Sequence, residues 1–372
     1  MEFKIGKDLF AKSLQKIQAI VERKNTMPIL SNALLEVKDN LLYVTATDLE
    51  VGMRSSYPTD VIREGKITVS AKKLYEILKE MPDEEIHFSA KENNWVEISC
   101  GRAHFNIVGL SSEDYPYFPK VKEGSLITFK SEILRDMIEK TSYAICYDET
   151  KYNLNGVFIK ATKEKEGNVL RMVTTDGHRL SISKKAISGD INPELNKGII
   201  FPKKGMVELK KMVEEDSSEI MVGFMDNSAV FQKGSTVVVM RLIDGDFPDY
   251  AKVLPVNNDK IMRGNRNDLL HALKRMAVLA SDKFKGVKIE LNQGKMVISS
   301  NNPELGDARE ELEVHYEHPA FSARYNASYL LDVLLSMECK EVELKLKDEL
   351  SPIIMKSSTL QDFMAVVMPM RL

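Results

Sequence analysis

The sequence has little of what marks several whole classes of protein. Its 372 residues contain only three cysteines, Cys100, Cys146 and Cys339. They are odd in number, far apart and outside any Cys-x-x-Cys or Cys/His spacing, which argues against a disulfide framework or a zinc site and leaves buried or half-buried free thiols. No apolar run approaches the roughly 20 residues that a membrane-spanning helix needs. The opening MEFKIGKDLF also lacks the apolar stretch of a signal peptide, so a cytoplasmic protein is expected. An excess of one charge is missing as well: 52 Lys and Arg stand against 55 Asp and Glu, a formal net charge of -3. Gripping nucleic acid by bulk electrostatics is therefore not the expected mode. The chemical fingerprints are absent too, with no GxxxxGK[ST], no GxGxxG after a strand, no HExxH, no GxSxG and no EF-hand loop. Neither a catalytic residue nor a metal or cofactor is expected.

What is present is repetition. Residues 7–21, KDLFAKSLQKIQAIV, place Phe10, Leu14, Ile17 and Val21 on one face at the 3.6-residue period of an amphipathic helix. Residues 131–145 and 267–280 repeat the pattern, with Asp8, Glu132 and Asp268 where a helix N-terminus favours an acid. Strand-rich stretches follow each copy, and then a second helix, at AKKLYEILKEM from Ala71, PKKGMVELKKMV from Pro202 and NASYLLDVLLSM from Asn326. An alternating strand closes each round, from Glu84, Ser218 and Lys340. The links DYPYFPKV and DFPDYAKVLP, whose prolines remove ladder donors, separate the copies. The pattern predicts three α+β domains, at residues 1–122, 123–254 and 255–372, each an antiparallel sheet covered on one face by a helix pair.

Three features bear on function. Asp176 and His178 in TTDGHR could pair as orienter and base, although no nucleophile is marked beside them and a surface turn is the better reading. Lysines and arginines recur on the helices, including Lys7, Lys12, Lys16, Lys72, Lys73, Lys203, Lys204, Lys210, Lys211, Lys274 and Arg275; on one helix that is a solvated face, but recurrence suggests a positive lining. The tail VVMPMRL sets flexible thioethers beside Pro369, a composition suited to an adaptable peptide-accepting surface.

The threefold unit resembles the bacterial DNA polymerase III beta subunit family, the sliding clamps, together with TMPIL at Thr26, LNG at Leu154, TDGHRL at Thr175, DGDFPDY at Asp244, NNPE at Asn301 and the terminal VMPMRL. The resemblance covers the whole chain. It implies a head-to-tail homodimeric ring around duplex DNA, held without regard to base sequence, with no enzyme activity of its own. It implies DNA contacts at Arg23, Lys24, Lys72, Tyr152, Lys203 and Lys204, with Asn153 where many relatives have a second aromatic. A pocket for linear motifs of a replicative polymerase, clamp loader and repair polymerases would use Leu154, Thr175, Gly177, His178, Arg179, Leu180, Pro248, Val253, Leu350, Val366, Val367, Met368, Pro369, Met370, Arg371 and Leu372. In that reading Arg179 and Arg371 would be available to polar groups of the motif, and Pro352 departs from the small polar residue the family would suggest. The dimer seam would join Lys73, Arg102, His104 and Phe105 to Val278, Leu279, Glu304, Asp307, Glu310 and Glu311, with Arg309 interrupting the acids. The rival readings are a repeat scaffold with no DNA role and a hydrolase centred on Asp176 and His178.

Overall fold

The computed structural model describes residues 1–21, 27–119, 126–279, 286–357, 359 and 361–370. The helices are α1 (Lys7–Ile17), α2 (Ala71–Glu80), α3 (Ser131–Thr141), α4 (Pro193–Lys197), α5 (Lys203–Glu215), α6 (Arg266–Ala277) and α7 (Ala327–Leu335). Polar residues start several of them: Ser70 accepts from the backbone N–H of Lys73, Asn265 from those of Asn267 and Asp268, and Asn326 from that of Ser328. Helix α1 stops short of the apolar period, which runs to Val21. Its side-chain amide at Gln18 takes the Leu14 carbonyl that the next helical N–H would use, while the Gln18 N–H turns to Gln15. Ile20 and Val21 stay buried in the turn that follows. Among the described residues no helix is long and apolar enough to cross a membrane.

The chain forms two compact units, residues 1–131 with 207–242, and residues 132–206 with 243–372. In the first, one antiparallel sheet runs in the order Asp60–Arg63, Glu2–Gly6, Glu85–Ala90, Trp95–Cys100, Ala103–Val108. The hairpin of Asn32–Lys38 and Leu41–Thr47 turns at Asp39 and Asn40, whose φ values of 52° and 58° suit a type I′ turn. These strands lie in a second sheet of eight strands, which also holds Val51–Pro58, Gly65–Ser70, Ile127–Lys130, Glu219–Met225, Ser228–Lys233 and Thr236–Arg241. The second unit is built alike, with an eight-stranded sheet and a four-stranded sheet ordered Gly306–Glu313, Lys295–Asn302, Gly286–Asn292, Phe321–Asn326.

This differs from the single sheet per repeat that the alternation predicts. Each repeat makes two half-sheets. One is formed by the strand before the first helix and the three strands after the second, joined in the first repeat by Asp60–Arg63; the other is formed by the remaining strands between the helices. The reason is hydrogen bonding: an open sheet edge leaves backbone donors and acceptors unpaired. The last strand of the second repeat, Thr236–Arg241, satisfies its edge on Val51–Pro58 of the first, with Val239 opposite Gly52. The last strand of the third, Phe363–Val367, does the same on Arg179–Ile187, with Val366 opposite Leu180. Ala103–Val108 and Gly306–Glu313 occupy the corresponding positions in the first and third repeats, and each ends its sheet.

Helices and half-sheets share apolar cores. Phe3 stacks on Phe88 at 4.9 Å between centroids, and Phe10 of α1 meets both edge-on, at 5.8 and 6.1 Å. All three are fully buried. In the second unit α6 and α7 supply Leu273 and Leu330 to a core that includes Ile289, Ile298, Val342 and Phe363. In that unit the buried Lys140 and half-buried Lys185 share Asp136 and Asp362, with Lys140 and Lys185 each 2.8 Å from Asp136.

Phe88→Ala should cost about 3–5 kcal/mol through lost transfer energy and a cavity between β-strand and helix; urea unfolding checks this, a loss below about 1 kcal/mol showing that the cluster collapses without it. A second test uses pH. Burial raises the Asp362 carboxyl, but the Lys185 hydrogen bond and the Lys140 and Lys185 charges outweigh it and hold the group below the usual carboxylate range. A depressed folded pKa means stability that is present above the unfolded value of roughly 4 and is lost as pH falls through the folded one. Asp362→Asn should therefore lower stability at neutral pH by about 1 kcal/mol and flatten its fall towards acid; an unchanged acid limb would show that other carboxylates carry it.

Candidate functional site

At the corner between Gly167–Thr175 and Arg179–Ile187, short polar side chains fold the backbone onto itself. Thr175 Oγ1 accepts from the Gly177 N–H at 3.1 Å and donates to the Arg179 carbonyl at 2.7 Å. Asp176 Oδ1 accepts from the N–H groups of His178 and Arg179, at 2.8 and 3.0 Å. Gly177 sits at φ +91°, a left-handed conformation that glycine adopts without strain. The second oxygen of Asp176 goes to Arg179 Nε at 3.0 Å. Its carboxylate is thus spent on the turn and on Arg179, not on orienting the His178 ring as a hydrolase dyad would need.

Arg179 is likewise engaged. Its guanidinium donates to Asp332 and to the Tyr143 carbonyl, each at 2.5 Å, and lies over the rings of Tyr329 and Tyr143 at 4.4 and 5.3 Å. Burial pushes the Tyr143 phenol up to about 12, so it stays neutral beside the guanidinium and the counter-charges are Asp176 and Asp332. Three N–H groups of Arg179 are thus used within the chain, where they hold the corner, while the resemblance implied an Arg179 available to polar groups of a ligand. The His178 ring stacks near that of Tyr329, 6.4 Å between centroids and 22° between planes.

Beside the corner lies an apolar patch. Leu180 and Val366 are paired across the strands and pack with Val173, Ile182 and Ile354. The second link walls it: Phe247 stacks on Phe158 at 4.9 Å and 11°, and Tyr250 and Leu254 pack against the same cluster. The chain end runs past, with the Met368 N–H donating to the His178 carbonyl at 2.9 Å and the Met370 N–H to the Arg324 carbonyl at 2.7 Å. Val253, Leu350, Met368 and Met370 are exposed apolar side chains, Leu350 at 74%. Pro248 is also exposed and Pro369 half-buried. Leu154 is buried at the end of the 3-10 turn Glu149–Leu154. Val367 faces the opposite way, into the α6–α7 core, and offers the patch no side chain. Arg371 and Leu372 lie outside the described residues. Sequence reasoning missed Tyr329, Tyr143, Asp332, Phe158, Phe247 and Tyr250. Phe247 and Tyr250 stood in the second link, but Tyr143, Phe158, Tyr329 and Asp332 lie outside it, and their convergence depends on the fold.

The first repeat carries the same corner. Asp48 Oδ1 accepts from the N–H groups of Glu50 and Val51, and Thr47 Oγ1 from that of Leu49. Where Leu180 faces Val366, however, Gly52 faces Val239, and the Phe118 ring packs so closely that a Cβ at Gly52 would lie 3.2 Å from it. The first link thus fills its corner with its own side chain.

The basic residues are mostly paired. Over the six longer helices fifteen Lys and Arg outnumber eleven Asp and Glu, in a chain with fewer bases than acids. Lys72 and Lys73 share Glu76, at 3.8 and 2.8 Å. Lys16 pairs with Glu215 at 2.8 Å, and Lys211 with Glu208 at 2.7 Å. Lys203 of α5 sits 3.1 Å over the Tyr147 ring, and its neighbour Lys204 is the next residue of the same first turn. Tyr152 is 60% exposed, and Asn153 donates to the Asp246 carbonyl at 3.0 Å. Arg23 and Lys24 lie outside the described residues. On the edge strand Ala103–Val108, Phe105 and His104 are exposed, with Arg102 in the turn before it. Val278, 77% exposed, follows α6, and Leu279 accepts from Asn302 at 2.8 Å. Glu304 and Asp307 are exposed, but Glu310 pairs with Arg275 and Glu311 with Lys295, so the acids near this edge are partly neutralised within the chain.

The comparisons with known proteins agree along the whole length. Residues 1–119, 128–249 and 251–371 match the N-terminal, central and C-terminal domains of the DNA polymerase III beta subunit. The beta sliding clamp of Pseudomonas putida is 35% identical over 376 residues, and that of Escherichia coli K12 32% over 373 residues, each alignment covering 100% of both chains. Among solved structures, a sliding clamp from Bartonella birtlesii bound to griselimycin aligns with a TM-score of 0.94 at 30% identity, and a Pseudomonas aeruginosa DNA polymerase sliding clamp with ligand with 0.91 at 33%, each covering 100% of both chains. With three clamp domains matched in order and full-length relatives above 30% identity, the chain belongs to the DNA polymerase III beta subunit family, the beta sliding clamps.

Proposed function

We propose that this chain is a processivity clamp: two copies close head to tail into a ring around duplex DNA and tether a replicative polymerase to it. The observation that carries the reading is the pair of edge strands. Inside the chain, the last strand of one repeat pairs with an inner strand of the repeat before it, twice over. Ala103–Val108 and Gly306–Glu313 are the two ends of that series. A second copy, turned by the correct angle, meets one with the other, and a heterologous contact that closes after two copies forms a ring. Phe105, Val278 and Leu279 would give the seam its apolar centre, with Lys73, Arg102 and His104 facing Glu304, Asp307, Glu310 and Glu311 at the rim. The three domains take the boundaries 1–122, 123–254 and 255–372.

Duplex DNA presents about one negative charge per 1.7 Å of axis. Helices with a small positive excess, their lysines already held by acids, suit weak and shifting phosphate contact. Arg23, Lys24, Lys72, Lys203 and Lys204 would meet phosphates, with Tyr152 beside the DNA path, and none would read base edges. The patch around Leu180 and Val366, bounded by Pro248, Val253, Leu350 and residues 368–372, would accept a linear motif of a polymerase, clamp loader or repair polymerase. The role is non-enzymatic and needs no cofactor, and the setting is cytoplasmic.

Loaded by its clamp loader onto nicked circular DNA, the protein should stay bound through gel filtration and be lost once the circle is cut; equal retention on both would refute encirclement. Phe105→Asp should turn the dimer mass in light scattering into that of a monomer, and an unchanged mass would move the seam elsewhere.

A further inference from the structure

The apolar patch does not end at Leu180 and Val366. Side chains alternate along a strand, so Leu180, Ile182 and Lys184 share one face, as do Val366, Met364 and Asp362 beside them. Ile182 lies opposite Met364 in the ladder. Past the patch the same face opens into a cavity of about 390 Å³ lined by Ile182, Met364, Tyr250 and Leu254 together with Lys184 and Lys356. Lys184 lies one same-face step beyond Ile182, and Lys356 follows Met355, which is opposite Ala365, so it stands level with Met364 on the neighbouring strand.

Its charges are unevenly balanced. Arg171 pairs with Glu164, and Asp362 is taken by Lys185. Lys356 is 3.3 Å from Glu343, but Arg263 and Lys345 also approach that one carboxylate, at 3.0 and 3.8 Å. Lys184 is exposed and forms no ion pair among the described residues. An apolar trough with an excess of positive charge in its lining fits one kind of occupant.

We propose that the partner segment continues from the Leu180–Val366 patch into this cavity and presents an aspartate or glutamate to Lys184 and Lys356. The inference rests on the peptide-pocket reading above and extends it to a specificity determinant outside the corner. An extended peptide rises about 3.3 Å per residue, so the acid would lie roughly four residues from the side chain seated on Leu180.

The test uses the clamp-binding segment of the replicative polymerase as a synthetic peptide, alone and extended at either end by four residues closing in Glu-Glu or Lys-Lys. Binding to the full-length protein is read by fluorescence anisotropy at two salt concentrations. One Glu-Glu extension should tighten binding about 3–10-fold at low salt, as one or two partly exposed ion pairs would. Lys184→Glu should abolish that gain and favour the Lys-Lys peptide, while affinity for the unextended peptide stays as it was. Lys184→Gln, a milder change on an exposed side chain, should remove the gain without reversing it. If the Glu-Glu and Lys-Lys peptides bind alike to the unaltered protein, the inference is overturned and the pocket reading stands. If the unextended peptide fails to bind, both fall.

Discussion

An unpaired sheet edge is the constraint on which this structure turns. Each repeat places one half-sheet between its two helices and assembles the other from strands on both sides of them, and each half ends in exposed backbone groups. Pairing Thr236–Arg241 with Val51–Pro58, and Phe363–Val367 with Arg179–Ile187, satisfies two of those edges and makes eight-stranded sheets that no single repeat could form. The domains read along the sequence and the compact units in space therefore differ. Strand pairing runs across repeat boundaries, so the second repeat contributes a half-sheet to each unit.

The pocket is a by-product of the same pairing. A junction between repeats brings a Thr-Asp corner, a last strand and a proline-aromatic link together. Both internal junctions have these parts, with Asp48 and Asp176 capping their corners alike. They differ in what the link does. Phe118 packs on Gly52 and closes the first corner, whereas Phe247 stacks on Phe158 and packs with the buried cluster of Leu180 and Val366. One junction packs its aromatic on a glycine; at the other the link packs on an apolar cluster, the place where the proposed reading seats a side chain from elsewhere. That asymmetry supports one pocket per chain although the repeat is threefold.

Much of the fold could be read in the sequence, because helix faces and strand alternation are local. Phe10, Leu14 and Ile17 are buried on the side their period predicts, and Asp39-Asn40 forms the turn its residue types favour. What could not be read is the partner of each strand edge, since nothing within a repeat specifies whether its last strand meets its own half-sheet or its neighbour's. The site was partly legible for the same reason. The Thr175–Arg179 corner is local and stood out, while Tyr143, Tyr329 and Asp332, distant in sequence, surround Arg179 and take up the hydrogen bonds that a local reading left open to a ligand. The helix charges were visible, but not that acids one turn away hold Lys72, Lys73, Lys140, Lys210 and Lys211 or that distant ones hold Lys16 and Arg275.

In the proposed ring the seam would repeat the internal junctions in kind, yet it has to open for DNA to enter while they do not. Geometry need not supply that difference. An internal junction joins strands of one chain, so its effective concentration is set by the linker, in the millimolar range for short flexible connections. The seam joins separate molecules and depends on their actual concentration. Pairing of the same strand type is then held shut inside the chain and left reversible between chains. The partial neutralisation of Glu310 by Arg275 and of Glu311 by Lys295 acts in the same direction, because it reduces the charge attraction left for the partner and leaves Phe105, Val278 and backbone pairing to hold a contact that a loader can part.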